Sequence, residues 1–449
     1  MLLKRNGVGV PELAYGCLVM EASGVNVDYS TVVALQALAA GKPPPPQVGN
    51  FFFGRENELA LLNQDLEQID AGHSSLRIVV GEIGSGKSAL LGEAMRRARA
   101  KRFVTMGVEI SRQCLLHGRA GEGRGLLEHA VLSMRTLGSG DRLAMDAIVG
   151  TFGQRCAGIA AASSCSIKKV QREQLSPLAA LPRGADFIRV IEIYSNTLEL
   201  DDRRHAENAA RWLCGQYDST TESRVDLGVA MVTDDDAWAM FKLWAAFVRI
   251  AGKRGLILAL DEARLMGDIL TGPTRRANYA QLSRIFNEIF QGSVSGMGLL
   301  IAATPELLFS EAQGLSSEPS LRSWLSGSDA VGRAGDAVEP TAFKIADLSL
   351  EENFSLISRL RALLLQRDPT IRTIEEAQIS SFIEQSRDYL GGQEYPLPRP
   401  LIRQFLTHHN TMANESGLDW NDISGSRPND PSSYASVAAA SGQFAKRSM

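Results

Sequence analysis

The chain has 449 residues, 44% hydrophobic and 22% charged, a balance that fits about two to four globular domains and excludes whole-chain disorder, a collagen-like rod or a disulfide scaffold. Forty-seven basic residues against 51 acidic give a net charge of −4, so overall charge does not point to DNA; only a local basic patch is left open. Cys17, Cys114, Cys156, Cys165 and Cys214 are odd in number and lack CxxC spacing. No run approaches the roughly 20 apolar residues of a membrane span. Asn6, Pro11 and Glu12 interrupt what would be the apolar region of a signal peptide. These features predict a cytoplasmic protein with no membrane attachment.

In chain order, a weak helical pattern around Tyr29–Leu38 is followed by four prolines, Pro43 to Pro46. That tract is a stiff linker and sets residues 1–50 apart as an N-terminal segment. Glu56–Ile69 is predicted as an amphipathic helix, with Leu59, Leu62, Leu66 and Ile69 on one stripe. Leu76–Val80 reads as an apolar strand, Ser88–Arg99 as a helix and Phe103–Ile110 as a strand. Residues 115–250 read as mostly helical, with loops near 137–142, 150–185 and 214–226. Gly255–Leu260 and Gly298–Ala303 are further apolar strands, and 351–410 carries three or four short amphipathic helices. After about residue 412 the chain turns to Ser, Asn, Asp, Gly and Ala, and 412–449 is expected to be a disordered tail. Strands alternating with helices predict an α/β fold whose parallel sheet is covered on both faces.

The strongest motif lies between the first strand and its helix. Gly81-Glu82-Ile83-Gly84-Ser85-Gly86-Lys87-Ser88 is G-x-x-x-x-G-K-[ST], the Walker A pattern of a P-loop, with Ala89 following. The glycines let backbone N–H groups converge on phosphate oxygens, and the helix start aims its positive end at the same charge. Lys87 is expected to reach the β- and γ-phosphates of ATP, and Ser88 to offer its hydroxyl to Mg²⁺. In GLILALDEA, Asp261 and Glu262 follow a strand directly, a Walker B arrangement. Asp261 is expected to hold Mg²⁺ and Glu262 to orient and polarise the attacking water. Two successive carboxylates favour hydrolysis over simple switching.

Other residues could complete such a site. Thr304, at the tip of the strand after Walker B, fits a γ-phosphate sensor; the plainer alternative is a residue that starts the next helix. FFFGRENELALL resembles the opening helix of AAA+ proteins, which would place Gly54 and Arg55 near the adenine. LPRPLIRQFL opens a late helix with Arg399 and Arg403 one turn apart; AAA+ lids carry a second sensor arginine there, Arg399 being the first choice and Arg403 the second. Arg322 is a candidate arginine finger across a subunit interface, in competition with Arg275 and Arg276. His117 has no second ligand at metal spacing. The basic run from Arg96 to Arg102 reads as a solvated helix face rather than a nucleic-acid patch.

FGRENEL, RIVVGEIGSGKSALL, VEISRQCLLHGRAGEGRGLLEHAV, RWLCGQ, GLILALDEA and YPLPRPLIRQFL together resemble the BrxD-type ATP-binding proteins of the BREX bacteriophage-defence systems, which are AAA+-like P-loop ATPases. The resemblance covers about residues 51–410. It implies an ATPase core over 51–344; independently of the resemblance, the long gap from Ser88 to Asp261 predicts a helical insertion at about 115–250 between Walker A and Walker B. A helical lid over 345–411 would complete the fold. It also implies other defence-system proteins as partners, with an oligomer left open. The expected role is an ATP cycle that remodels or loads a partner complex. The rival is a nucleotide-gated scaffold with little turnover. A small-molecule kinase fits less well, because the gap from Ser88 to Asp261 is long for one.

Overall fold

The structure is a computed structural model that describes residues 29–42, 44, 51–138, 144–200, 202–268, 270–325, 331–334, 340–368, 373–387, 395–414 and 420. The chain opens with α1 (Tyr29–Ala39), α2 (Glu56–Asp70), β1 (Ser74–Val80), α3 (Lys87–Ala100) and β2 (Val104–Glu109). A long helical stretch follows: α4 (Glu122–Leu132), α5 (Ala144–Ser163), α6 (Ile167–Leu175), α7 (Gly184–Leu200), α8 (Arg203–Leu213), α9 (Thr220–Leu227) and α10 (Ala237–Ile250). The chain then returns to the sheet through β3 (Leu256–Asp261), α11 (Leu265–Asp268), α12 (Gly272–Phe290) and β4 (Met297–Ala303). It continues through α13 (Pro305–Phe309), α14 (Pro319–Leu325), β5 (Val331–Gly332) and β6 (Ala342–Lys344), and closes with α15 (Leu350–Arg367), α16 (Glu376–Ser386) and α17 (Pro398–Asn414).

The strands form one six-stranded sheet in the order β2-β3-β4-β1-β6-β5, and every pairing in it is parallel. Its strands are near-continuous apolar runs because both faces are covered. Ile78, Leu258 and Leu299 belong to a core shared with the helices between β2 and β3. Their neighbours Val79, Ile257 and Leu300 belong to a second core with α2 and α3 on the opposite face. Within the first core, Phe152, Phe187, Trp244 and Phe247 meet edge to face at 5.4–5.9 Å between ring centroids.

Several expectations are corrected. The stretch 150–185 is not a loop: α5 runs through Ser163, α6 follows, and a 3₁₀ turn covers Ser176–Ala180. Gly150, Gly153 and Gly158 hide the helix in the sequence, but Ile148, Val149, Phe152, Cys156 and Ala160 fall on one buried stripe that outweighs weak propensity. The short strands β5 and β6 escape any pattern of period two, and β6 is held by pairing Ile78 with Ala342 and Val80 with Lys344.

The ends of the chain also differ from expectation. The proline tract does not set α1 apart, because Ala34, Leu35 and Leu38 are buried in one apolar cluster with α15, α16 and α17. Met412 and Trp420, expected in a loose tail, are buried in the same cluster. The remaining tail, 415–419 and 421–449, lies outside the described residues, as do 1–28 and all of the proline tract except Pro44.

That cluster contains His408, which is 6% exposed, edge-on to Phe382 and Trp420. Its Nδ1 has no partner among the described residues. Burial pushes its pKa down to about 4, so the ring is neutral in the fold but binds a proton near pH 6.5 once unfolded. The stability it contributes is whole above pH 6.5 and is lost as pH falls towards 4. At pH 5 the loss should be on the order of 2 kcal/mol. Thermal melts at pH 7.5 and 5 should show a larger fall in Tm for the wild type than for His408→Leu; equal falls would place the acid sensitivity elsewhere.

Candidate nucleotide-binding site

The parallel sheet delivers three strand ends to one edge. Val80 pairs with Ala303 in register, and Asp261 stands at the end of the adjacent strand β3. Open α/β sheets bind ligands at this carboxyl edge. The Gly81–Ser88 loop follows β1 here, Asp261 and Glu262 end β3, and Thr304 follows β4. They share one open cleft. Its far wall comes from both ends of the chain: Leu38, Gly41, Lys42 and Pro44 from the N-terminal side, and Leu348, Leu356, Arg399 and Ile402 from the C-terminal helices.

Within the loop, Gly84 and Gly86 take φ of +95° and +99°, conformations that L side chains rarely adopt. No atom lies within 4 Å of where a Cβ on Gly86 would sit. Gly86 is the N-cap of α3 and supplies no side-chain cap, so the first-turn N–H groups face the cleft without one. Ser85 Oγ, in a residue only 3% exposed, has no hydrogen-bond partner among the described residues. An open cradle with an orphaned hydroxyl and a helix start fits a phosphate group.

Lys87 Nζ donates to the carbonyls of Gly81 and Glu82 at 2.7 and 2.8 Å. Burial pushes its ammonium below the ordinary lysine value; Asp261 and Glu262 oppose that shift, and Arg399 reinforces it by repulsion. All three charges are therefore close enough to Lys87 to be felt there. Glu262 adopts φ +52°, a left-handed conformation that costs a non-glycine residue on the order of 1 kcal/mol or more and is held only where the surroundings impose it. Its N–H donates to Asp261 Oδ1 at 2.8 Å. Its Oε2 accepts from Arg264 Nε at 3.0 Å, while Arg264 Nη1 reaches Asp268 Oδ2 at 3.1 Å. Arg264 lines the cleft and was missed by sequence reasoning; its position two residues after the acidic pair was the available signal.

The remaining candidates divide. Arg399 lies over the loop: its N–H donates to Gly84 O at 3.2 Å, and a Cβ on Gly84 would lie 3.2 Å from Arg399 Cβ. Arg403 points elsewhere, its Nη2 donating to Ala40 O at 3.0 Å, because α1 occupies the space beside that turn of α17. Thr304 lines the cleft and also caps α13, its Oγ1 accepting from Leu307 N at 3.4 Å; the hydroxyl proton is not used in that bond. Arg55 also lines the cleft, with its guanidinium engaged by the backbone. Its guanidinium donates to Ala346 O at 2.5 Å, Gly54 O at 3.1 Å and Ser85 O at 3.3 Å.

Arg322 and Arg276 are exposed, Arg322 Nε donating to Ser316 O, and Arg275 holds the carbonyls of Gly267 and Leu270. Asn278 binds both backbone groups of His117. Arg96 and Arg97 pair with Glu93 on their own helix, as expected of a solvated face. Among the described residues no helix is long and apolar enough to cross a membrane.

A family model described as BREX system ATP-binding protein BrxC/D matches residues 29–427. The match begins at the first residue of α1, beyond the N-terminal limit of the sequence resemblance. No curated protein matches the chain.

Proposed function

Since the chain belongs to the BREX system ATP-binding protein BrxC/D family, we propose that it is an AAA+-like ATPase whose ATP cycle drives or gates the remodelling of a partner complex in bacteriophage defence. One observation carries the reading: Lys87, Ser88, Asp261, Glu262, Thr304 and Arg399, drawn from four separate parts of the sequence, line one cleft. In this reading the loop 81–89 cradles the phosphates, and Lys87 neutralises the β- and γ-oxygens. Ser88 and Asp261 hold Mg²⁺, which supplies Lewis-acid polarisation when bound. Glu262 orients the attacking water, and Thr304 and Arg399 sense the γ-phosphate. Residues 345–411, joined by α1, act as the lid.

Arg399 gives the direct test. A contact made only to the γ-phosphate distinguishes ATP from ADP, and only such differential affinity can shift a conformational equilibrium. Arg399→Ala should leave ADP affinity nearly unchanged and weaken ATP by about 10- to 150-fold, the loss of one charge-assisted contact. Calorimetry with both nucleotides decides it. Equal losses would mean a generally destabilised lid.

The rival scaffold reading is favoured by one contact, the Arg264–Glu262 pair, which occupies the carboxylate that hydrolysis would use. Steady-state turnover, with and without DNA, separates the two readings.

A further inference from the structure

The Gly54-Arg55-x-x-Glu58 segment lies at the cleft, but the Arg55 guanidinium is committed to backbone carbonyls. Its contacts are unusual in what they join. Ile345 N donates to Val80 O at 2.8 Å, the last hydrogen bond of the sheet on that strand. Ala346 follows immediately, on the path into α15. Both of its backbone polar atoms are held by the start of α2: its carbonyl accepts from Arg55 Nη1 at 2.5 Å, and its N–H donates to Glu58 Oε1 at 3.0 Å. The other terminal nitrogen of the same guanidinium, Nη2, reaches Ser85 O in the middle of the phosphate loop at 3.3 Å. Arg55 and Glu58 are each 4% exposed and lie 3.9 Å apart.

Gly54 fits the same construction. It has φ +62°, and a Cβ there would lie 2.1 Å from the Glu352 carboxyl. Glu352 is the capping-box residue of α15, its Oε2 accepting from Ser349 N at 2.8 Å. The first turn of α2 is therefore fitted closely to the first turn of α15.

We propose that Arg55, held by Glu58, is a buried staple that couples the phosphate loop to the junction where the sheet passes into the lid. A guanidinium presents several donors in a rigid plane, so displacement of Ser85 O is transmitted to Ala346 O without a flexible intermediate. Arg55 is a positioning residue. It acts on the nucleotide through the loop and on Arg399 through the lid. The proposal rests on the reading of the cleft as a nucleotide site, but the tie itself is testable in the empty protein.

Amide exchange on the nucleotide-free full chain provides the first measurement. Arg55→Met should speed exchange in residues 81–90 and 344–350 together, by about tenfold or more, and leave β3 and β4 unchanged. Loosening of only one segment, or neither, overturns the proposal. The second measurement is binding of ATP and ADP with Mg²⁺ in a Glu262→Gln background. Arg55→Met should keep ADP affinity within about threefold and reduce the preference for ATP by at least about fivefold. Equal loss of ATP and ADP would instead assign Arg55 to the base or ribose. Arg55→Lys covers the case in which the methionine variant does not fold: one ammonium cannot span both carbonyls, so both readouts should move in the same direction to a smaller extent. Wild-type protein that binds neither nucleotide would refute the nucleotide reading, while the exchange result would still decide whether the staple exists.

Discussion

Lys87→Ala is expected to fold normally and to lose nucleotide binding. The ammonium bridges the carbonyls of Gly81 and Glu82, so it stands where the loop converges. Asp261 and Glu262 both act on its ionisation, so its charge is felt at the acidic pair. Alanine removes a charge-assisted contact worth roughly 1.5–3 kcal/mol. It also leaves phosphate charge facing Asp261 and Glu262 without the lysine charge between them. Calorimetric titration of ATP and ADP checks it, and wild-type affinity in the variant would remove loop 81–88 from the site.

The second large effect concerns turnover. Glu262→Gln should bind ATP–Mg²⁺ normally and hydrolyse it at least about 100-fold more slowly, the range for a positioned base or water-orienting group. Glutamine keeps the shape and can still accept from Arg264 Nε, so the left-handed corner after β3 should survive. Single-turnover hydrolysis measured beside ATP affinity makes the separation. Turnover like the wild type would take Glu262 off the catalytic list and favour the scaffold.

The sheet and the conformation of the 81–88 loop were legible because what sets them is local. A strand buried on both faces must be apolar throughout, and the turn from β1 into α3 takes Gly84 and Gly86 at positive φ, which only glycine adopts freely. The acidic pair was legible for the same reason, standing at the end of such a strand. What could not be read was set by distant parts of the chain. Nothing near Arg403 shows that Ala40 will take its guanidinium, and nothing near Arg55 shows that Ala346 and Ser85 will share its donors. The α5 helix was hidden by its glycines, because its stability comes from a buried stripe rather than from propensity. The three-residue strand β6 owes its order to β1, more than 260 positions earlier in the sequence.

The order of the strands bears on how the protein is made. β1 lies between β4 and β6, and β2 pairs with β3 across the whole helical stretch from α4 to α10. No neighbouring pair containing β1, β2, β3 or β4 can close as a hairpin, so sheet assembly depends on contacts of high sequence separation and is intrinsically slow. The cleft, lined from Leu38 to Ile402, is incomplete on a ribosome until nearly all of those residues have emerged. A ligand seated there would bind only the finished fold and add stability in proportion to the logarithm of its concentration. Occupancy of the cleft by such a ligand would then discriminate completed molecules from truncated ones.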